Sequence, residues 1–94
     1  MDIRRIRRGI REDRYEFTAH ALEEMDEDFL SEEDVRNAIL SGSVVAELSD
    51  DPRGARFVVR GESVVQNIWL DVVGRFLPSG LLRIITVYAL DEED

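Results

Sequence analysis

The chain has no cysteine and no lysine, and it has only one histidine, one tryptophan and two prolines. The missing cysteine excludes disulfides and thiolate metal sites, so packing and hydrogen bonding must hold the fold. The missing lysine makes all twelve cations arginine. No apolar run is long enough to span a bilayer, and the N-terminus lacks the pattern of a signal peptide. A cytoplasmic location without membrane insertion is therefore expected. A glycine-rich phosphate loop and a nucleophile motif are also absent, which leaves no evident cofactor or small-molecule substrate.

What is present is a chain of 94 residues, 44% apolar and 35% charged. That suits a single domain over residues 1–94 with a small two-layer core. Its net charge of −9 is unevenly placed. Residues 1–14 carry six arginines against Asp2, Glu12 and Asp13, a sum of +3, whereas residues 15–94 carry six arginines against eighteen acids, a sum of −12. An acidic surface repels a nucleic-acid backbone at long range, so RNA is a disfavoured partner. A proteome adapted to concentrated salt favours the same composition. There a Debye length of about 3 Å would leave net charge little influence over partners.

Ile3, Ile6 and Ile10 fall at i, i+3 and i+7, one face of a short basic helix or arm within residues 1–14. Its isoleucines can dock on the domain while its arginines pair with acids downstream. A membrane surface is the other reading, for which three isoleucines offer little area. "YEFT" reads as a short extended link. Thr18 is a good N-cap for a helix running to about residue 28, with Ala21, Leu22 and Met25 apolar and Phe29 continuing the spacing. Ser31, followed by Glu32, Glu33 and Asp34, resembles a capping box with Asp at its third position. It opens a helix over about residues 32–41 that buries Val35, Ala38, Ile39 and Leu40. Gly42 suits the position just past its end.

After Gly42 the pattern turns β-rich. "SVVAEL", "ARFVVRG", "VVQNIWLDVVGRF" and "LLRIITVYAL" are separated by short links that include the turn-like "SDDPRG" and "LPSG". Four strands in an antiparallel meander, with the helices on one face, are predicted. Residues 91–94, "DEED", read as an acidic tail.

The order of these short motifs resembles a known family. His20-Ala21 is followed by Met25, and Ser31-Glu32-Glu33-Asp34-Val35 opens a helix. Gly42 precedes a valine-rich strand, Pro52-Arg53-Gly54 forms a turn, and the last strand contains "IITVY". This resembles domain of unknown function 4258, over about Tyr15 to Leu90. The family is commonly grouped with the RelE-like and BrnT-like toxins. The resemblance implies an α+β fold of two or three short helices on a four-stranded, strongly twisted antiparallel sheet. The family stretch reads approximately His-Ala-x-x-Arg-Met-x-x-Arg-Gly-Ile-Ser. His20, Ala21, Met25 and Ser31 match it, and Leu30 takes the isoleucine position. Glu24 and Asp28 replace both arginines, and Phe29 replaces the glycine. RelE-like ribonucleases gather cations and a proton-transfer group around an RNA phosphate, and two anions in place of two cations count against that activity here.

His20, Arg83 and Tyr88 are the candidates for such chemistry. As a histidine, His20 could move a proton near neutral pH, Arg83 could hold a phosphate bidentately, and Tyr88 could donate a proton. The plainer reading has His20 positioning its helix and Tyr88 packing in the sheet. Strict alternation sends Arg83, Ile85 and Val87 to one face of the last strand and Ile84, Thr86 and Tyr88 to the other, separating the pair. Asp26, Asp28 and Glu32 lack the central glycine of a calcium loop. His20 and Glu24 offer only two ligands, so no metal site is expected. Between Thr18 and Asp34, Leu22, Met25, Phe29 and Leu30 are expected to face the core and the acids to face water. The expected function is a non-catalytic protein-interaction module on a toxin-like fold, meeting a protein partner or a second copy through Arg4, Arg8, Glu24 and Asp28. The alternative is a toxin-type endoribonuclease neutralised by an antitoxin.

Overall fold

The computed structural model, which describes residues 2–64 and 68–90, contains three helices and five strands among those residues. The order is α1 (Ile3–Arg11), β1 (Tyr15–Phe17), α2 (Ala19–Glu27), α3 (Glu32–Ser41), β2 (Ser43–Leu48), β3 (Arg56–Glu62), β4 (Trp69–Phe76) and β5 (Leu82–Ala89). The acidic tail at residues 91–94 and the part of the third predicted strand at residues 65–67 lie outside the described residues.

β2 to β5 form the antiparallel meander, but the sheet is mixed and has five strands, in the order β1-β5-β4-β3-β2. The expected four-stranded antiparallel sheet is corrected by β1. Tyr15, Glu16 and Phe17 pair in parallel with Leu82, Arg83 and Ile84. Three residues are too few to display a strand period, so the "link" becomes a strand only because β5 lies alongside it.

One face of the sheet carries the core. Phe57, Val59, Leu70, Val72, Leu82, Ile84 and Val87 are fully buried there, and Ala21, Val35, Ala38, Ile39, Ile6 and Ile10 meet them from the helices. α3 lies across β3 and β4, α2 lies beside β5, and α1 packs on α3. The contact of α3 with β3 is made at backbone distance. A Cβ at Gly61 would stand 2.0 Å from the Ala38 carbonyl oxygen, and one at Gly42 would stand 2.2 Å from that of Arg60. Gly42 caps α3 at φ −91°, so it serves close approach here and not a left-handed turn.

Thr18 and Ser31 cap α2 and α3, and Ser31 with Asp34 completes the reciprocal capping box. α1 and α2 each end in a Schellman turn, closed by Arg14 N–H to the Gly9 carbonyl and Leu30 N–H to the Met25 carbonyl, both 2.8 Å. Asp13 (φ 56°) and Phe29 (φ 57°) occupy the left-handed positions of these turns. That conformation turns Phe29 outward, 84% exposed, and Leu22 is 51% exposed. Neither faces the core as expected. α2 buries Ala21 and Met25 instead, and Leu30 enters the core one residue past the turn.

α1 and α3 cap each other with arginine. Arg7 donates to the carbonyls of Ile39 (3.3 Å) and Gly42 (2.7 Å) at the end of α3. Arg36 donates to the Ile10 carbonyl (3.1 Å) near the end of α1 and also reaches Asp13 and the Tyr15 hydroxyl. Both guanidinium groups thus sit at the negative ends of helix dipoles.

Candidate functional site

Most candidate residues converge on β5. Along its outer edge β1 covers Leu82 to Ile84. Thr18 then takes over, its N–H donating to the Ile84 carbonyl (3.0 Å) and its hydroxyl to the Ile85 carbonyl (3.0 Å), while that hydroxyl accepts from Ala21 N–H (3.1 Å). Farther along, Glu24 Oε1 accepts from Val87 N–H (3.2 Å) and Asp28 Oδ2 accepts from Ala89 N–H (3.0 Å). The match is geometric. Residues i and i+4 of a helix are about 6 Å apart along its axis, and outward-facing N–H groups of a strand recur every two residues, about 6.7 Å. A helix with acceptors four residues apart can therefore serve as an edge strand.

This corrects the expectation that the acids between Thr18 and Asp34 face water. Glu24 and Asp28 hold the sheet edge, and Asp34, buried, accepts from the N–H groups of Ser31 (2.9 Å) and Val64 (3.1 Å). Arginine carries no acceptor, so the arginines of the family pattern could not make the Glu24 and Asp28 contacts.

His20 projects from the first turn of α2 with its side chain 64% exposed, and its Nε2 lies 3.2 Å from Glu24 Oε1. Arg83 and Tyr88 are placed differently from the strict alternation. The β4–β5 register shifts between Val73 and Gly74, pairing Val73 with Thr86 and Gly74 with Ile84, so Ile85 is an extra residue. Ile84 and Val87 both point into the core, and Arg83 and Tyr88 therefore share the opposite, helix-free face. Four effective residues still separate them, about 13 Å along the strand. Arg83 Nε donates to Glu16 Oε2 (2.7 Å), and the Tyr88 hydroxyl donates to Asp71 Oδ2 (3.3 Å). Burial first, and then the Asp71 carboxylate, raise the Tyr88 pKa above its ordinary value of 10.0, so the phenol keeps its proton.

The helix-free face carries further groups that the sequence did not single out. Arg60 clamps Asp71 bidentately, Nε to Oδ1 at 2.8 Å and Nη2 to Oδ2 at 3.0 Å, which raises the Arg60 pKa further. With Tyr88 this makes one cross-strand row, because Arg60 pairs with Asp71 and Asp71 with Tyr88. Asp51 faces Arg53, Arg56 and Arg75 at 3.3, 3.5 and 3.7 Å. The Arg53 backbone N–H, then its side chain, hold the Asp51 carboxyl below its ordinary range. The one legible signal was Asp71, a lone carboxylate inside the apolar run "IWLDVV". Trp69 (44%) and Tyr88 (38%) are the exposed aromatics of this face.

Of the partner-binding candidates, Arg4 is paired with Asp2 (3.2 Å), and Arg8 has no ion pair among the described residues. They lie on α1, whereas Glu24 and Asp28 lie on α2 and are engaged by β5. Among the described residues no three His, Asp or Glu side chains converge as metal ligands, and no helix is long and apolar enough to cross a membrane.

The fold is an α+β domain, three helices on one side of a mixed five-stranded sheet. The chain belongs to the family described as Domain of unknown function (DUF4258), whose profile matches residues 17–89. No curated protein and no solved structure matches the chain.

Proposed function

We propose that the chain is a non-catalytic protein-interaction module whose helix-free sheet face receives a cationic, partly apolar segment of a partner protein. The observation that carries this reading is the dispersal of the candidate catalytic groups. His20 sits with Glu24 on α2, Arg83 with Glu16, and Tyr88 with Asp71, each already engaged within the chain. The face has the character of a contact surface: exposed Trp69 and Tyr88 beside arginines whose charge is met locally. Glu62 pairs with Trp69 across β3 and β4, and the chain carries −9 overall, which favours a basic partner.

Trp69 is the only tryptophan, so its fluorescence reports on this face alone. Titration with an arginine-rich amphipathic peptide is expected to change that fluorescence saturably, and Glu62→Arg is expected to weaken the response. An unchanged signal would remove the docking face. The toxin-type endoribonuclease, in the manner of RelE-like and BrnT-like proteins, remains the second reading, because the bulge at Ile85 brings Arg83 and Tyr88 to one face. Incubation with labelled RNA is expected to leave it intact. Cleavage that disappears in Arg83→Ala or His20→Ala would replace the first reading with the second.

A further inference from the structure

We infer that a cleft between α1 and the β4–β5 turn binds the phosphate group of a small organic phosphate. The cleft holds about 230 Å³ and is lined by Arg5, Arg8 and Arg14, with Gly9, Phe76 and Gly80. It is independent of the sheet face described above. Five of its eight lining residues, from Arg5 to Arg14, belong to α1 and the turn after it, outside the residues matched by the family profile.

The pairing of arginines across the chain singles it out. Arg4, Arg53, Arg56, Arg60, Arg75 and Arg83 each face a carboxylate, Arg7 caps carbonyls, and Arg36 does both. Four arginines have no such partner among the described residues: Arg5, Arg8, Arg11 and Arg14. Three of these four line the one cleft. In a chain of net charge −9, unpaired cations are the exception, and here they are gathered.

The cleft's construction suits a compact anion. The Arg5 guanidinium lies 3.9 Å from the centre of the Phe76 ring, a stack that fixes its plane while leaving its in-plane N–H groups able to donate. Gly80, at φ 91°, turns the β4–β5 connection back along the cleft and brings its Cα side to within contact of Arg14 Nη2, 3.6 Å from where a Cβ would stand. Guanidinium forks match a phosphate bidentately, and a dianion answers three of them better than a carboxylate does. The volume is below the about 300–1,000 Å³ of ordinary ligand pockets, which fits a phosphate with a short carbon substituent. The acidic remainder of the molecule repels a long polyanion. Glu12 also lines the cleft and limits its charge.

The test is amide NMR at low ionic strength with inorganic phosphate, glycerol phosphate, acetate and a short RNA oligonucleotide. Saturable shifts of the Gly9 and Gly80 amides are expected with both phosphates, the ester binding more tightly. Acetate should bind about tenfold more weakly or less. Arg8→Gln and Arg14→Gln should each weaken glycerol phosphate about tenfold, Glu12→Gln should strengthen it, and Arg4→Gln should change nothing. Both substituted arginines are exposed, and a thermal melt verifies that the fold is kept. Equal responses to acetate and phosphate would reduce the cleft to general charge screening and overturn the proposal. So would RNA binding more tightly than either phosphate, because the site would then belong to a nucleic-acid backbone.

Discussion

At Phe29 a bulky side chain occupies a left-handed position that the family pattern fills with glycine. A non-glycine residue at φ near +57° costs about 1–2 kcal/mol, and an 84% exposed ring recovers little of it. Phe29→Gly should therefore stabilise the protein by about 1 kcal/mol after glycine's own entropic cost, seen as a higher denaturant midpoint with an unchanged slope. A lower midpoint would mean that the ring makes a contact worth more than its strain. At Glu24 and Asp28 the acids act as backbone acceptors for β5. Asp28→Ala leaves the Ala89 N–H without its partner and should cost about 1–2 kcal/mol, whereas Asp28→Asn, which keeps an acceptor, should cost less. Hydrogen exchange at Ala89 checks the assignment, since it should speed up in the alanine variant.

At the scale of elements, the helices do work that a sequence reading assigns to strands and loops. α2 closes an edge of the sheet that β1 is too short to cover, which removes a row of exposed donors where another chain could pair. α1 is fastened by Ile6 and Ile10, both fully buried, and by the exchange of arginine caps with α3. Arg36→Ala should destabilise by about 1–2 kcal/mol, because it removes one of the donors to the Ile10 carbonyl together with the contacts to Asp13 and Tyr15. Arg7→Ala should cost a similar amount. The double variant should cost less than the two together, because both fasten one helix pair. Deleting residues 1–11 should lower the melting temperature far more than either, since two buried isoleucines contribute roughly 1.5–3 kcal/mol each. An unchanged melting curve for the deletion would contradict the packing of α1.

For the whole molecule, the alkaline pH dependence of stability has a sign that Tyr15 and Tyr88 set. Burial raises the pKa of Tyr15 and of Tyr88 above 10.0, each acting with a neighbouring carboxylate, Glu32 and Asp71. Between pH 10 and the raised folded values, the unfolded chain has lost protons that the folded chain retains, so stability falls as pH rises. The contribution is complete below pH 10. Tyr15→Phe with Tyr88→Phe should flatten the alkaline limb of a plot of stability against pH, whatever the variant's absolute stability. At the acid end the order reverses. The Asp51 carboxyl is depressed below 3.8, so its contribution is present above that value and is lost as pH falls through the folded one.

Local signals in the chain were enough to determine the capping of α2 and α3 by Thr18 and Ser31, the Ser31–Asp34 box, the buried side of α3 and the four-strand meander. Each depends on side-chain spacing or on hydrogen bonds between residues close in the chain. Tertiary structure decided the rest, because the decisive partners are distant in sequence. Tyr15–Phe17 is a strand only against Leu82–Ile84. Glu24 and Asp28 read as solvated acids until β5 presents the N–H groups of Val87 and Ala89 to them, more than sixty residues away. The placement of Arg83 and Tyr88 turned on one extra residue, Ile85. A bulge inverts the facing of every later side chain in its strand, and period alone does not reveal where the count slips.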